Sequence, residues 1–386
     1  MHFDVVIIGQ TSATKSLVSG LTEKGKKVAL ISLPDGSDIL YERLIHYLYG
    51  SKEESIQDFE SIRAEKITAL PEFDSQKGVL LVNGQSWHAK DFVLGMGAIP
   101  FIPNSFASQK LPFETPQSLL MKRKFPSSAV ILGGGPIGVS LAHVLIDKRC
   151  ETTLVCQSNR LLPKIEPELA QFLNEKLQEK GCRIVFNTEQ PPKSEVLILA
   201  TGMRGHTQGF GLEKQGVYLN EKKKVVVNDQ MQTSNSRIWA LGPLTHYPPN
   251  LAFEAHQAIM IANNVTSPFF SQMRLENEPF PKIYPTHPRL ATLGLREDEA
   301  KQKFGNVKTS VHAIEGGMIK LVARKRSGQI VGVHICAPTA SEMILFFNLA
   351  MRSGLTIFDL LDRHHFPSPS YAQAIYQCLT RWLETD

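Results

Sequence analysis

The chain has 386 residues, 42% of them hydrophobic, and a formal net charge of +5. That length exceeds what one ordinary core needs, so we expect two or three domains. The basic runs at 122–124, 222–224 and 324–326 are short and have no aromatic residues between them. Such runs are typical of solvated turns, so we expect no nucleic acid among the partners of this protein.

The N-terminus and the cysteines indicate where the protein works. Met1 leads almost directly into a predicted strand at 3–8, so we expect no signal peptide. Residues 129–146 are apolar enough for a membrane span, but the glycines and proline inside favour a strand, a loop and a helix. The five cysteines are scattered without a CxxC pair, which predicts neither a metal site nor a disulfide framework. We expect a cytoplasmic protein with no membrane contact.

The first predicted unit opens the chain. It comprises a strand at 3–8, a helix at 15–24 and a strand at 27–32. Its first turn has the layout of the nucleotide-binding pattern G-x-G-x-x-G. Gly9 holds the first glycine position, whereas Thr11 and Thr14 replace the second and third. A side chain at Thr11 displaces a phosphate from the backbone, and the β-branched Thr14 stands where the helix should press on the strand.

A second unit of the same kind keeps every glycine. It comprises a strand at 129–132, a helix at 139–148 and a strand at 152–155. Gly133 makes the tight turn, Gly135 lets a pyrophosphate approach the backbone, and Gly138 lets the helix pack closely on the strand. The pyrophosphate is expected at the N-terminus of the helix, where free N–H groups point outward. We therefore predict a dinucleotide-binding turn here.

The two units are in register. In such units an acid at the end of the second strand usually binds the ribose hydroxyls. Ser32 lies 23 residues after Gly9 (32 − 9), and Cys156 lies 23 residues after Gly133 (156 − 133). Neither is an acid: Ser32 can exchange one hydrogen bond, and Cys156 is a poor partner for a ribose. The nearby Arg160 is a candidate for contact with a 2′-phosphate.

Four later segments complete a pattern. They are 199–204 around Gly202, 233–242 ending in Gly242, 285–295, and 328–335 with 340–344. Together with the two turns they resemble the pyridine nucleotide–disulfide oxidoreductases, a family that includes glutathione reductase, dihydrolipoamide dehydrogenase and mercuric reductase. The resemblance covers nearly the whole chain.

The resemblance implies an α/β fold with two Rossmann-like FAD/NAD(P)-binding domains and a C-terminal α+β dimerisation domain. The FAD-type domain would combine 1–120 with 240–280, and the NAD(P)-type domain would occupy 121–239. The dimerisation domain would occupy 281–386, and we expect a homodimer through it.

The chain departs from this family where the family does its chemistry. The family's redox cysteine pair corresponds to residues 35–46, which contain no cysteine, and none occurs before Cys150. Phe366 and Tyr371 stand where the resemblance implies an acid–base histidine and its glutamate, and His364 and His365 are candidate substitutes by their position in the sequence. Ser140 replaces a glutamate that lies by the nicotinamide.

The flavin-binding segments are altered too. Gly242 is followed by Pro243, where the family has an aspartate against the ribityl chain, and Pro243 offers neither a carboxylate nor an N–H. The segment 93–100 keeps only Gly97 and Pro100 of a second family motif. With the altered first turn and Ser32, these changes predict weak or absent FAD binding, whereas NAD(P) remains an expected cofactor.

We therefore favour a redox-inactive binding or regulatory protein, a pseudoenzyme whose partner is another protein or a paralogue. Two alternatives stay open. One is an FAD-dependent NAD(P)H oxidoreductase acting on oxygen, a quinone or a metal instead of a disulfide, because the flavin carries that chemistry. The other is an NAD(H) sensor that uses only the intact turn.

Overall fold

A computed structural model describes residues 1–34, 40–50, 64–107, 112–122, 124–188, 192–247, 250–275, 279–363, 366–368 and 370–384. The chain divides into two compact units. Unit 1 contains Met1–Pro103 and Gly202–Asn277, and unit 2 contains Asn104–Thr201 and Glu278–Asp386. Residues 202–239, which the sequence prediction assigns to the NAD(P)-type domain, lie in unit 1. The three-domain boundaries themselves stay a prediction.

The strands, in chain order, are His2–Ile8 (β1), Val28–Ser32 (β2), Glu65–Thr68 (β3), Glu72–Phe73 (β4), Val79–Val82 (β5), Gln85–Leu94 (β6), Ala98–Pro100 (β7), Ser128–Leu132 (β8), Glu151–Val155 (β9), Arg183–Val185 (β10), Val196–Leu199 (β11), Met203–Gly205 (β12), Ile238–Ala240 (β13), Lys282–Tyr284 (β14), Leu290–Gly294 (β15), Val307–Ile314 (β16), Gly317–Arg324 (β17) and Ile330–Cys336 (β18).

The α-helices, in chain order, are Ser12–Glu23 (α1), Leu40–Tyr49 (α2), Asn104–Ala107 (α3), Pro116–Lys122 (α4), Pro136–Asp147 (α5), Pro167–Glu179 (α6), Leu251–Thr266 (α7), Glu297–Phe304 (α8), Ala340–Arg352 (α9), Ile357–Arg363 (α10) and Tyr371–Glu384 (α11).

Unit 1 is built on a sheet with the strand order β3-β2-β1-β6-β5-β4, in which β13 also pairs with β6. The strands β3, β2, β1, β6 and β13 run parallel, and β5 and β4 are antiparallel additions. Helices α1 and α7 pack along each other. Val5–Ile8 and Val28–Ile31 are buried, as expected for central parallel strands covered on both faces.

Unit 2 contains a parallel sheet with the order β10-β9-β8-β11 and an antiparallel sheet with the order β14-β15-β18-β17-β16. The parallel sheet carries α5 between β8 and β9, which is the predicted strand–turn–helix–strand unit. Apolar residues of β15, β17 and β18 form one buried cluster with α9, α10 and α11.

The predicted fold class is confirmed: two Rossmann-like sheets are accompanied by a C-terminal α+β domain. Both helices that follow the turns begin three residues earlier than predicted, at Ser12 and Pro136. Within the part of the chain that the structure describes, no helix combines the length and the apolar character needed to cross a membrane.

Candidate functional site

The two turns begin with the same backbone geometry. Gly9 has a φ of +106° and Gly133 a φ of +129°, a region that favours glycine. A Cβ on Gly9 would overlap the carbonyl oxygen of Gly95, and a Cβ on Gly133 would overlap that of Ala200. In each unit the first glycine is therefore required for the close approach of a neighbouring strand end.

The second turn leaves its helix N-terminus open. Gly135 is the N-cap of α5 and has no side chain to cap it. A Cβ on Gly135 would meet nothing within 4 Å, whereas one on Gly138 would overlap the carbonyl oxygen of Gly133. Gly138 thus serves the packing of α5, while Gly135 keeps space free in front of N–H groups that can bind an anion.

The first turn has a helix N-terminus that its own side chains cap. The Thr14 backbone N–H donates to Thr11 Oγ1 over 3.2 Å, and the Thr11 N–H donates to Thr14 Oγ1 over 2.8 Å. Both threonines are buried. This reciprocal capping stabilises α1, but it offers fewer N–H groups to a phosphate than the turn at Gly135 does.

The bulk of Thr14 is accommodated. If Gly95 carried a Cβ, that atom would lie 2.6 Å from Thr14 Cγ2. At the corresponding contact in the second unit, the glycine is on the helix, where Gly138 faces Ala200. In the first unit the glycine is Gly95, at the end of the neighbouring strand. Because Gly95 makes room for the methyl group, Thr14 does not hold α1 away from the sheet, contrary to the expectation from the sequence.

The two strand-end residues have different surroundings. Ser32 is half-buried, and its hydroxyl donates to Gln10 Oε1. Cys156 is fully buried with its sulfur against Gly134, and burial raises the pKa of its thiol to about 11. Arg160 donates to two backbone carbonyls of the following loop, over 3.1 and 2.7 Å. Ser32 therefore remains the more accessible of the two predicted ribose positions.

The second flavin segment ends at a polar cluster. Gly242 has a φ of +73°, and its N–H donates to Gln257 Oε1 on α7 over 2.8 Å. Gln257 is fully buried, and its Nε2 has no hydrogen-bond partner among the described residues. A buried amide donor without an acceptor is costly unless a ligand or water satisfies it.

The other predicted glycines also adopt backbone conformations that favour glycine. Gly97 has a φ of +70°, and its carbonyl oxygen accepts the N–H of His206 over 3.3 Å. Gly202 has a φ of +122°, and its carbonyl oxygen accepts the N–H of Phe101 over 2.9 Å. Both therefore shape loops in unit 1, and their role toward a cofactor stays a prediction.

The cysteines are poor redox groups. All five are free and buried. Burial raises the pKa of each thiol, to about 11 for Cys156 and Cys378 and to about 12 for Cys182 and Cys336. Because thiol–disulfide exchange requires a thiolate, these cysteines are unsuited to it at neutral pH.

The C-terminal positions of the family's acid–base pair hold other side chains. Phe366 packs against Phe346 and Tyr376, with ring centroids 5.7 and 5.6 Å apart. Tyr371 is exposed. The two histidines considered as substitutes, His364 and His365, lie outside the described residues.

Sequence reasoning missed Gln257, Gly95 and His143 on α5, and it named Ser140 on the same helix only as the replacement of a glutamate. The hydroxyl of Ser140 and both ring nitrogens of His143 have no hydrogen-bond partner among the described residues, and both residues are fully buried. The available signal was a polar residue at a core-facing position of an otherwise apolar helix.

Two family models together match most of the chain. The family model described as "Pyridine nucleotide-disulphide oxidoreductase" matches residues 3–192 and 189–260, and its dimerisation domain matches residues 280–378. The chain is 29% identical to a mercuric reductase of Staphylococcus aureus, covering 73% of this chain and 57% of that protein. It is 26% identical to a mercuric reductase of Lysinibacillus sphaericus, covering 94% and 79%.

Among solved structures, the chain is similar to the Cu(II) complex of the HOCl-induced flavoprotein disulfide reductase RclA from Escherichia coli. The TM-score is 0.85 at 19% identity, with 99% of each chain covered. The chain spans only 57% of the length of the Staphylococcus aureus relative.

These matches correct two expectations. The preferred hypothesis of a redox-inactive binding protein is wrong, because the relatives are redox enzymes, mercuric reductases and dihydrolipoyl dehydrogenases. The expectation of weak or absent FAD binding is wrong as well: the chain matches a family whose members are FAD-dependent, and the supposed steric obstacle at Thr14 is relieved by Gly95. The chain belongs to the pyridine nucleotide-disulphide oxidoreductase family.

Proposed function

We propose that the protein is an FAD-dependent NAD(P)H oxidoreductase that passes electrons to an acceptor other than a disulfide: oxygen, a quinone or a metal ion. The observation that carries this proposal is the open, uncapped N-terminus of α5 at Gly135, in a chain whose cysteines are all buried. The first feature supports binding of NAD(P)H, and the second argues against a thiol relay.

Unit 1 has features that fit FAD. The turn at Gly9 keeps its close approach to Gly95, and the threonine at the third position is seated without displacing α1. Beside Gly242, the unpartnered Nε2 of Gln257 is a buried donor that lacks an acceptor. A dinucleotide with a polyol chain supplies both a pyrophosphate for the helix N-terminus and hydroxyl acceptors.

The chain's own groups would bind, orient and shield the reactants. Bound FAD supplies hydride acceptance from NAD(P)H and electron delivery to the acceptor. Gly135 would let the pyrophosphate of NAD(P)H approach the N-terminus of α5, in a turn that Gly133 and Gly138 shape by close packing, with Ser140 in the first turns of the same helix. Since the buried thiols stay protonated at neutral pH, the acceptor must take electrons without a protein disulfide.

The match to a dimerisation domain supports a homodimer through the C-terminal part of the chain. On α9, Leu345 is 55% exposed and Leu349 is 67% exposed. These side chains lie one turn apart on the helix, and large apolar side chains exposed together are typical of an interaction surface. We also propose a cytoplasmic location, which rests on the sequence alone.

The experiment is a visible absorbance spectrum of the purified protein, followed by turnover assays. We expect a flavin spectrum, either as purified or after incubation with FAD. We also expect NADH or NADPH oxidation with oxygen, a soluble quinone or Hg²⁺; Hg²⁺ is included because the relatives are named mercuric reductases.

Disulfide substrates serve as the matched comparison. We expect no measurable reduction of lipoamide or glutathione disulfide under conditions in which the other acceptors turn over. A protein that binds no FAD at any concentration tested, or one that reduces a disulfide as efficiently as the other acceptors, would contradict the proposed function.

A further inference from the structure

The first part of α7 lies beside the first turn of α1. A Cβ on Gly20 would be 3.3 Å from the Ala262 Cβ, and Lys24 Nζ donates to Thr266 Oγ1 over 3.0 Å. Both pairs have the same offset, 242 residues (262 − 20 and 266 − 24), so the two helices run parallel. This offset brings the residues of α7 near 257 level with the start of α1.

The loop at Gly242 lies beside the end of β6, next to the start of α1. The Leu241 N–H donates to the carbonyl oxygen of Leu94 over 3.0 Å, and Leu241 also lies 4.0 Å from where a Cβ on Gly95 would be. The turn at Thr14, the strand end at Gly95 and the loop at Gly242 are therefore direct neighbours within unit 1.

The orientation of the Gln257 amide is fixed by its partner. The Gly242 N–H is a donor, so the atom that it contacts at 2.8 Å must be the carbonyl oxygen of Gln257 and not its nitrogen. Nε2 is attached to the same carbon as this oxygen, so it also lies next to the Gly242–Pro243 backbone. Gln257 is fully buried, and Nε2 has no partner among the described residues.

The Gln257 Nε2 therefore lies near position 243, where the family that this chain resembles has an aspartate against the ribityl chain. Pro243 has no polar side chain and no N–H to offer there. Glu254, one turn earlier on α7, brings Oε2 to 3.4 Å from where a Cβ on Gly242 would be. The polar groups beside Gly242 therefore come from the helix and not from the loop.

We propose that Gln257 is a flavin-binding residue of this protein: its Nε2 donates a hydrogen bond to a hydroxyl of the FAD sugar-alcohol chain, in compensation for the aspartate that Pro243 replaces. This inference rests on the proposed function, because it requires that FAD binds in unit 1. It assigns the polyol, and not the pyrophosphate or the adenine, as the part of FAD that Gln257 contacts.

The test combines a variant with a change of ligand. Gln257→Leu removes the amide while keeping a similar volume, and its affinity is measured by titration with FAD and, separately, with ADP. ADP has the adenosine and pyrophosphate of FAD but no sugar-alcohol chain. We expect the variant to bind FAD about tenfold more weakly, the loss that a hydrogen bond of about 1.4 kcal/mol predicts, and to bind ADP as the wild type does.

Asn264→Leu is the matched control, because Asn264 is a buried amide on the same helix whose partners are all protein groups. Its Nδ2 donates to the carbonyls of Gln230 and Met273 over 3.2 and 2.9 Å, and its Oδ1 accepts the Met273 N–H over 2.7 Å. This variant should lower the unfolding midpoint of the ligand-free protein without changing the ratio of FAD to ADP affinity.

The outcomes separate this inference from the proposed function. A wild-type protein that binds no FAD overturns the proposed function and, with it, the role of Gln257. A wild-type protein that binds FAD, with a Gln257→Leu variant that binds it equally well or loses FAD and ADP affinity in equal measure, overturns only the assignment of Gln257. Loss confined to FAD supports it.

Discussion

Thr14 and Gly95 are a complementary pair: the Thr14 methyl carbon lies 2.6 Å from the place where a Cβ on Gly95 would stand. Thr14 lies in the first turn of α1, and Gly95 follows the end of β6. The Gly95 N–H donates to the carbonyl oxygen of Ile8 over 2.7 Å, which fixes its position against β1. The lost glycine in the turn is thus offset by a glycine on the neighbouring strand.

We expect Gly95→Ala to destabilise the protein by about 1–3 kcal/mol, because the added methyl overlaps the Thr14 side chain in a packed core. Thr14→Ser removes that methyl but keeps the hydroxyl that caps α1. The double variant Thr14→Ser with Gly95→Ala should therefore be more stable than Gly95→Ala alone.

Urea unfolding of the four proteins in this cycle measures the coupling between the two positions. A Gly95→Ala penalty of the same size with serine and with threonine at position 14 would show that the two side chains do not compete for this space.

The sequence was sufficient to predict the glycine roles in the second turn, but not how the first turn accommodates Thr14. The roles of Gly133, Gly135 and Gly138 depend on local backbone geometry, so their spacing alone predicts them. The effect of Thr14 depends on Gly95, which lies 81 residues further along the chain (95 − 14). Such a non-local compensation becomes visible only when the sheet brings the two residues together.

Gln257 was missed for a related reason. One glutamine in a mostly apolar helix predicts a polar contact, but its partner, Gly242, is identified only by the folded loop. Lys320, between apolar neighbours in β17, carried a similar signal that sequence reasoning did not use.

The turn at Gly135 supports a prediction about the affinity for NADH and NADPH. Gly135 has a φ of −79°, and its position has open space for a side chain, so Gly135→Val should fold with nearly unchanged stability. The valine would occupy the space in front of the α5 N-terminus, and we expect NADH and NADPH affinity to fall by at least about 100-fold, equivalent to about 2.7 kcal/mol. Calorimetric titration with each nucleotide measures this loss.

FAD content is the internal control for Gly135→Val, since the variant should keep a wild-type flavin spectrum. Wild-type nucleotide affinity in a folded variant would remove Gly135 from the predicted NAD(P)-binding site.

Unit 2 contains a buried ion cluster around Lys320. Its Nζ lies 2.9 Å from Glu166 Oε2, 2.8 Å from Glu168 Oε1 and 2.7 Å from Glu297 Oε2, while Lys320 and Glu166 are both almost fully buried. Burial acts to lower the pKa of Lys320, but the hydrogen bonds that its ammonium donates to Glu168, Glu297 and Glu166 outweigh burial, and the pKa is raised.

We expect Lys320→Met to destabilise the protein by about 3–5 kcal/mol near neutral pH, because it leaves a buried carboxylate without its partner. The hydrogen bonds from Lys301 and then Lys320 lower the pKa of Glu297. The stabilisation from Glu297 is therefore complete above its unfolded pKa of about 4.3 and is lost as pH falls through the lower folded value. The penalty of Lys320→Met should shrink in the same acid range.

Lys301→Met is the matched control for Lys320→Met. Lys301 also bonds Glu297, over 2.6 Å, but its side chain is 57% exposed, so its loss should cost no more than about 1 kcal/mol. Urea unfolding of both variants across the acid range measures the difference; equal penalties would contradict a special role for burial at Lys320.

His143 on α5 gives the last prediction. Burial, followed by the charges of Lys180 and His287, lowers the pKa of His143 from 6.5 to about 3. Between these two pH values the unfolded chain therefore binds a proton at His143 and the folded chain does not. The contribution of His143 to the free energy of unfolding rises with pH through this window and falls as the solution is acidified. His143→Leu should remove that slope and gain a few kcal/mol relative to wild type at the acid end, since one pKa unit is worth about 1.4 kcal/mol.

Near neutral pH the substitution should cost no more than about 1 kcal/mol, because neither ring nitrogen has a partner among the described residues. Unfolding free energies measured across the window for wild type and His143→Leu decide the matter: a His143→Leu variant that keeps the wild-type slope would show that His143 is protonated freely in the folded protein.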